Sequence, residues 1–143
     1  MALAELIEER REEVLARWQT RVGEGPPGSE ASRSALRREV ADFLDGVVHA
    51  LRRPDLSGYV AVRKTVEVVP PARAHGRCLF QHGFELQLVR DEYRVLREVI
   101  LDLVDEVGYQ PTIDELRVLG DAITTGIVEA VLEYAEARAR ALA

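Results

Sequence analysis

An apolar seam with a period of 3.5 residues runs through the middle of the chain, and it constrains the fold more than any other feature. Its members alternate spacings of four and three: His75, Leu79, His82, Leu86, Val89, Tyr93, Leu96, Ile100, Leu103 and Val107. Sustained spacing of this kind is typical of a long α-helix that packs against other helices. It therefore predicts one continuous helix over 75–107, about 50 Å long, as the central or dimer-forming helix.

Helical periodicity also precedes this seam. An amphipathic first helix is expected to end at Gly23 or Gly25, where glycine and then two prolines follow. A second helix is expected to start near Ser32 and to stop at Pro54, because proline cannot continue the helical hydrogen-bond ladder. The pattern over 55–69 fits a strand and a helix about equally. We favour a short irregular helix there, because a lone strand would have no partner.

The end of the chain carries clear signals for a helix boundary. Gly108 suits the end of the long helix, and Thr112 with Glu115 forms a capping box that opens the next one after Pro111. The short loop between them predicts antiparallel helices. The chain is therefore expected to be an all-α antiparallel helical bundle with two long C-terminal helices, in a single domain over 1–143.

Composition narrows the class of protein. The chain has 143 residues, of which 47% are hydrophobic and 31% charged, as in a globular domain. Its net charge of −6 opposes binding to nucleic acid. The sequence contains no run of eighteen apolar residues, which a membrane span would need. Its single cysteine suits a reducing compartment. We therefore expect a cytoplasmic protein.

Catalytic and metal-binding spacings are missing from the sequence. It contains no His-Glu-x-x-His motif and no glycine-rich phosphate-binding loop, and it suggests no catalytic triad of serine, histidine and carboxylate. We therefore expect no enzyme activity and no metal site. His75 and His82 lie seven residues apart on the seam, about 10 Å along a helix, which is too far for both to bind one ion.

The seam offers a candidate ligand site instead, because polar groups in an apolar wall fix the orientation of a ligand. The residues predicted to line it are His75, Leu79, His82, Phe84, Leu86 and Tyr93. The plainer alternative is that both histidines are hydrogen-bonded for packing alone. Arg77, Arg90, Arg94 and Arg97 are interpreted as salt-bridged surface, with Arg77 as a candidate contact for an anion.

The same region resembles a known family. The motif comprises His75-Gly76-Arg77, Gly83 and the run Leu88-Val89-Arg90-Asp91-Glu92-Tyr93-Arg94-Val95-Leu96-Arg97. It is similar to the N-terminal sensor domain of RsbR-type RsbT co-antagonists, which is also found ahead of sensor histidine kinases. Residues 6–18 and 129–134 are similar too. The resemblance implies a globin-like helical fold without haem, usually dimeric, at the input of stress or two-component signalling.

These observations lead to one main hypothesis and two alternatives. The main one is a non-enzymatic sensor that forms a homodimer through the seam and passes ligand-dependent helix shifts to a downstream kinase or STAS-type effector. No cofactor is predicted under it. The first alternative is a haem-binding gas sensor with His75 or His82 as axial ligand. The second is a purely structural dimerisation module.

Overall fold

The computed structural model describes residues 2–22, 30–53 and 66–143. Within these ranges the chain forms six α-helices and a 3-10 turn and has no strand, which confirms the all-α prediction. The helices are α1 (Leu3–Glu9), α2 (Arg11–Val22), α3 (Glu30–Arg52), α4 (Val69–Gln81), α5 (Gln87–Val107) and α6 (Ile113–Leu142). The 3-10 turn, Val66–Val68, leads directly into α4.

The N-terminal half follows the predicted order with one interruption. The first amphipathic segment is two helices, α1 and α2, that meet at Arg10. Its predicted end at Gly23 or Gly25 lies outside the described residues, as does the side chain of Ser32. Helix α3 ends at Arg52, before Pro54, as expected. Of the ambiguous segment over 55–69, only 66–69 is described, and it is helical.

The continuous helix predicted over 75–107 is wrong. The chain leaves the helix after Gln81 and re-enters one at Gln87, so that α4 and α5 are separate helices joined by a turn. His82 and Leu86, which continue the seam in the sequence, lie in this turn and are exposed. Periodicity failed to show the break because the four-and-three spacing continues across it.

Gly83 is the physical reason for the break. Its φ of 77° lies in the left-handed region, which glycine adopts without a steric cost. The amide of Gly83 donates to the carbonyl of Phe80 at 3.1 Å, and the amide of Phe84 donates to that of Leu79 at 3.0 Å. This pair of bonds is a Schellman motif, a common way for an α-helix to end.

Helix α4 packs against α6 and α3, and α5 packs against α2 and α6. Most of the seam therefore lies in the core of a single chain. The seam residues at most 2% exposed are His75, Leu79, Val89, Tyr93, Leu96, Ile100 and Leu103. The predicted pairing of two copies through the seam is consequently wrong, because these side chains are already covered.

The connection between α5 and α6 is as predicted. Gly108 has a φ of 73° and closes α5. The hydroxyl of Thr112 accepts from the amide of Glu115 at 3.0 Å, and the Glu115 carboxylate accepts from the amide of Thr112 at 2.8 Å. Glu115 also accepts from the amide of Leu3 at 2.7 Å, so this capping box holds the start of α1.

None of the helices in the described ranges is long and apolar enough to span a membrane.

Candidate functional site

A buried polar cluster joins α4 to α5. The imidazole of His75 is fully buried, and its Nε2 lies 2.8 Å from Oε1 of Glu92, whose side chain is 4% exposed. Ionisable side chains are rarely buried unless they are paired, because the loss of hydration is costly. One hydrogen links the two groups whether the pair is imidazolium and carboxylate or imidazole and carboxylic acid.

Tyr93 completes this cluster. Its ring makes edge-to-face contacts with His75, at a centroid distance of 5.5 Å, and with Phe43 of α3, at 4.8 Å. Burial raises the pKa of Tyr93 well above its ordinary value, so the phenol keeps its proton. Within the described ranges, neither the Tyr93 hydroxyl nor Nδ1 of His75 has a hydrogen-bond partner, although both atoms are buried.

Glycines allow the helices around the cluster to approach closely. A Cβ on Gly76 would lie 2.1 Å from the carbonyl oxygen of Ala130, so α4 and α6 touch through their backbones there. A Cβ on Gly126 would lie 2.6 Å from the Phe43 ring and 2.9 Å from the Tyr93 ring. No residue larger than glycine fits at Gly76 unless the helices separate.

The residue after Gly76 belongs to a second polar group, the Glu133 clamp, formed by Arg73, Arg77, Glu133 and Arg140. The Glu133 side chain is 6% exposed and accepts from Arg140 at 2.7 Å, Arg73 at 3.3 Å and Arg77 at 3.5 Å. The hydrogen bond from Arg140, with that from Arg77, lowers the pKa of Glu133. The clamp thus ties α4 to α6 by charge-assisted bonds.

The His-Gly-Arg motif therefore has a structural meaning. Three consecutive residues of α4 contact three different partners: His75 contacts Glu92, Gly76 contacts Ala130 and Arg77 contacts Glu133. Arg77, predicted as a candidate anion contact, is exposed and faces this carboxylate of the chain itself. Its binding to an external anion stays a prediction.

The structure separates the predicted ligand-binding residues into two groups. His75 and Tyr93 contact each other in the core, where Leu79 is also fully buried, and Phe84 is 9% exposed in the turn. His82 and Leu86 are exposed in that turn, and Nδ1 of His82 lies 2.9 Å from the carbonyl of Cys78. Ligand contacts at these positions remain predictions.

Sequence reasoning missed Glu92, an acid that stands between Arg90 and Arg94 in the sequence and therefore resembles ordinary charged surface. A signal was present, since Glu92 continues an apolar row through Leu96, Val99 and Leu103 at spacings of four, three and four. A charged residue in such a row faces the core. No sequence signal links Phe43 of α3 to the site, although its ring contacts that of Tyr93.

The burial of Cys78 and the acidic side chains near it make its thiol unreactive. It is 7% exposed, and burial, with the nearby carboxylates of Glu39 and Glu92, raises its pKa to about 11. A thiol reacts as a thiolate, so this environment suppresses its chemistry at neutral pH. Among the described residues, no three histidine, cysteine, aspartate or glutamate side chains are grouped so that they could hold a metal ion.

Exposed apolar side chains lie along α6 in two groups. We call them the apolar outer face, and they are Ile113 and Leu116 at the start of the helix and Val128 and Leu132 in its second half. A groove of about 550 Å³ borders it, lined by Glu85, Leu86, Gln87, Arg90, Ile127 and Val131. The salt-bridged interpretation is wrong for Arg90, Arg94 and Arg97, which have no ion-pair partner within the described ranges.

Comparison with known proteins gives one match. The family model described as the RsbT co-antagonist protein rsbRD N-terminal domain matches residues 5–143. Curated proteins and solved structures yield no match.

Proposed function

Because the chain belongs to the family of RsbT co-antagonist rsbRD N-terminal domains, we propose that two copies pair and pass movements of α6 to an effector. The chain is a signalling input domain of the RsbT co-antagonist type. The effector expected for such a domain is a STAS-type protein or a kinase. A small ligand or a protein partner supplies the signal.

The observation that supports pairing is the apolar outer face. Ile113 is 69% exposed, Leu116 42%, Val128 50% and Leu132 45%, although all four lie on one 30-residue helix. Single exposed apolar residues are ordinary, but Ile113 with Leu116, and Val128 with Leu132, are neighbours at spacings of three and four, and such clusters favour packing against another protein. Two copies of the α5–α6 pair would bury this face in a four-helix arrangement with twofold symmetry.

The contacts of α4 with α6 support the transmission of the signal. The backbone contact of Gly76 with Ala130 holds the two helices together without a side chain between them. The Glu133 clamp fixes their register, and the Tyr134 hydroxyl of α6 donates to the carbonyl of Phe84, in the turn after α4, at 2.6 Å. A ligand that displaces α4 near His75 would therefore also displace α6, whose outer face forms the pair.

The oligomeric state of designed variants tests this function. We expect the wild-type chain to be a dimer in light scattering, and Leu116→Glu and Leu132→Glu to be monomers with unchanged helical circular dichroism. The matched control is Val66→Glu, which places the same charge at a residue that is 57% exposed but outside the outer face. That control should remain dimeric. A monomeric wild type, or a dimer of either leucine variant, would contradict pairing through this face.

No cofactor is part of this proposal, and haem binding stays an alternative prediction. Nε2 of His75 is engaged by Glu92 at 2.8 Å, so this nitrogen would have to leave its partner to reach an iron. The visible absorbance of the protein supplied with haem tests the alternative, with His75→Ala as the variant that should abolish the band. A purely structural module would show no change in melting temperature with any metabolite.

A further inference from the structure

Among the buried polar atoms that lack a hydrogen bond in the described residues, those of Glu67 and Glu129 belong to carboxylates in ion pairs with Arg53 and Arg73, which leaves two others. They are Nδ1 of His75 and the hydroxyl oxygen of Tyr93, both buried and both without a partner within the described ranges. Most buried polar atoms in folded proteins have a partner in the protein or in ordered water. An unsatisfied one lowers the folding equilibrium constant by about tenfold. Two of them on contacting rings therefore indicate a partner from outside the chain.

The surrounding residues explain why the described part of the chain supplies no partner for these two atoms. Nε2 of His75 is committed to Glu92, and the Tyr93 ring packs between His75 and the apolar ring of Phe43. Gly126, which contacts the Tyr93 ring, has no side chain. The close packing at Gly126 also limits the size of anything that enters.

We propose that one small, uncharged, hydroxyl-bearing molecule, water in the resting protein, binds between Nδ1 of His75 and the hydroxyl of Tyr93. The phenol donates a hydrogen bond to it. When a neutral imidazole of His75 donates from Nε2–H to the Glu92 carboxylate, Nδ1 is an acceptor and the bound molecule donates to it. When the imidazole is protonated, or when the carboxyl of Glu92 holds the proton, Nδ1–H donates instead. A molecule that both donates and accepts satisfies either arrangement.

This chemistry excludes other guests. An anion is disfavoured, because the carboxylate of Glu92 touches His75 and that of Glu39 on α3 lies close enough to interact with it. A diatomic gas has no hydrogen to donate to Nδ1. The site lies within one chain, so it does not depend on the pairing of two copies. Exchange of the bound molecule requires α4 to move from α5, which links its occupancy to the helix contacts described above.

Two tyrosine-to-phenylalanine variants test the site through stability. Tyr134→Phe is the matched control, because it removes a hydroxyl whose partner, the carbonyl of Phe84, is known. It should lower the folding equilibrium constant by several-fold, up to about tenfold. If the Tyr93 hydroxyl binds a guest, Tyr93→Phe lowers the constant in the same way. If that hydroxyl is unsatisfied, Tyr93→Phe raises it.

A crystal structure of the full chain completes the test. We expect density for one solvent molecule within about 2.7–3.2 Å of both Nδ1 of His75 and the hydroxyl of Tyr93. The same density should be lost or displaced in Tyr93→Phe. The proposal would be overturned if this density were absent from the wild-type protein, or if Tyr93→Phe raised the folding equilibrium constant. Both results can be read whether the protein is a monomer or a dimer.

Discussion

Replacing Glu92 by leucine should destabilise the protein by a large and specific amount. The change removes the only side-chain partner that the described residues give Nε2 of His75, at a site where both side chains are at most 4% exposed. Breaking a buried ion pair from one side costs about 3–5 kcal/mol, and breaking a neutral hydrogen bond costs about 1–3 kcal/mol. We expect a loss of about 3 kcal/mol, a large part of the roughly 5–15 kcal/mol that such a domain has.

Urea denaturation followed by fluorescence measures this loss directly. The chain has one tryptophan, Trp18, which is 2% exposed and whose indole donates to the backbone carbonyl of Glu92 at 3.0 Å. The substitution keeps that carbonyl, so the probe stays in place. At a slope of about 2 kcal/mol per molar urea, the midpoint should fall by about 1.5 M. The control Glu98→Leu, at an exposed position of the same helix, should shift it little.

A double-mutant cycle then separates the pair from its surroundings. His75→Leu leaves the Glu92 carboxyl unpaired and should also be strongly destabilising, whereas the double leucine variant should recover most of the loss. The expected coupling is about 2–3 kcal/mol. A single Glu92→Leu that costs less than about 1 kcal/mol, or two effects that simply add, would refute the assignment of a buried, mutually dependent pair.

Three further outcomes are expected. Gly76→Ala should lower the free energy of unfolding by about 3 kcal/mol, because its Cβ would overlap the carbonyl of Ala130. The control Gly120→Ala, which has open space around it, should raise that free energy by about 0.5–1 kcal/mol. Equal effects in thermal or urea unfolding would contradict the close contact. The pKa of Glu133 is lowered in the folded protein. This shift contributes stability that is present above the pKa of the unfolded chain, at about pH 4–5, and is lost as the pH falls through the folded pKa. The urea midpoint of Glu133→Gln should therefore depend less on pH in this range than the midpoint of the wild-type protein. Iodoacetamide at pH 8 should modify Cys78 far more slowly in the native protein than in urea, and equal rates would show an accessible thiolate.

Local signals explain which parts of the fold the sequence predicts well. The end of α5 and the start of α6 depend on Gly108, Thr112 and Glu115, whose bonds lie within a few residues of one another. The same physics ends α4 at Gly83, yet periodicity concealed it, since Leu79, His82, Leu86 and Val89 keep heptad spacing through the turn. An isolated glycine is often tolerated inside a helical pattern, so Gly83 alone does not predict the end of a helix.

The candidate site was only half predictable for a related reason. The place of His75 and Tyr93 on the seam predicts both as members of the site, and the structure brings their rings together. The sequence does not predict Glu92 as a member, because an acid beside several arginines resembles ordinary solvated surface. Its burial depends on a partner in another helix, and no pattern within α5 identifies that partner.

The break at Gly83 is what creates the site. In an unbroken helix, the separation of 17 residues from His75 to Glu92 would span about 26 Å, and the two side chains would not meet. The fold-back after Gln81 brings Nε2 and Oε1 to 2.8 Å and places Gly76 against Ala130 in the same step. The break at Gly83 therefore does more than divide the predicted long helix. It brings α4, α5 and α6 together at His75, so that a change at this residue reaches α6.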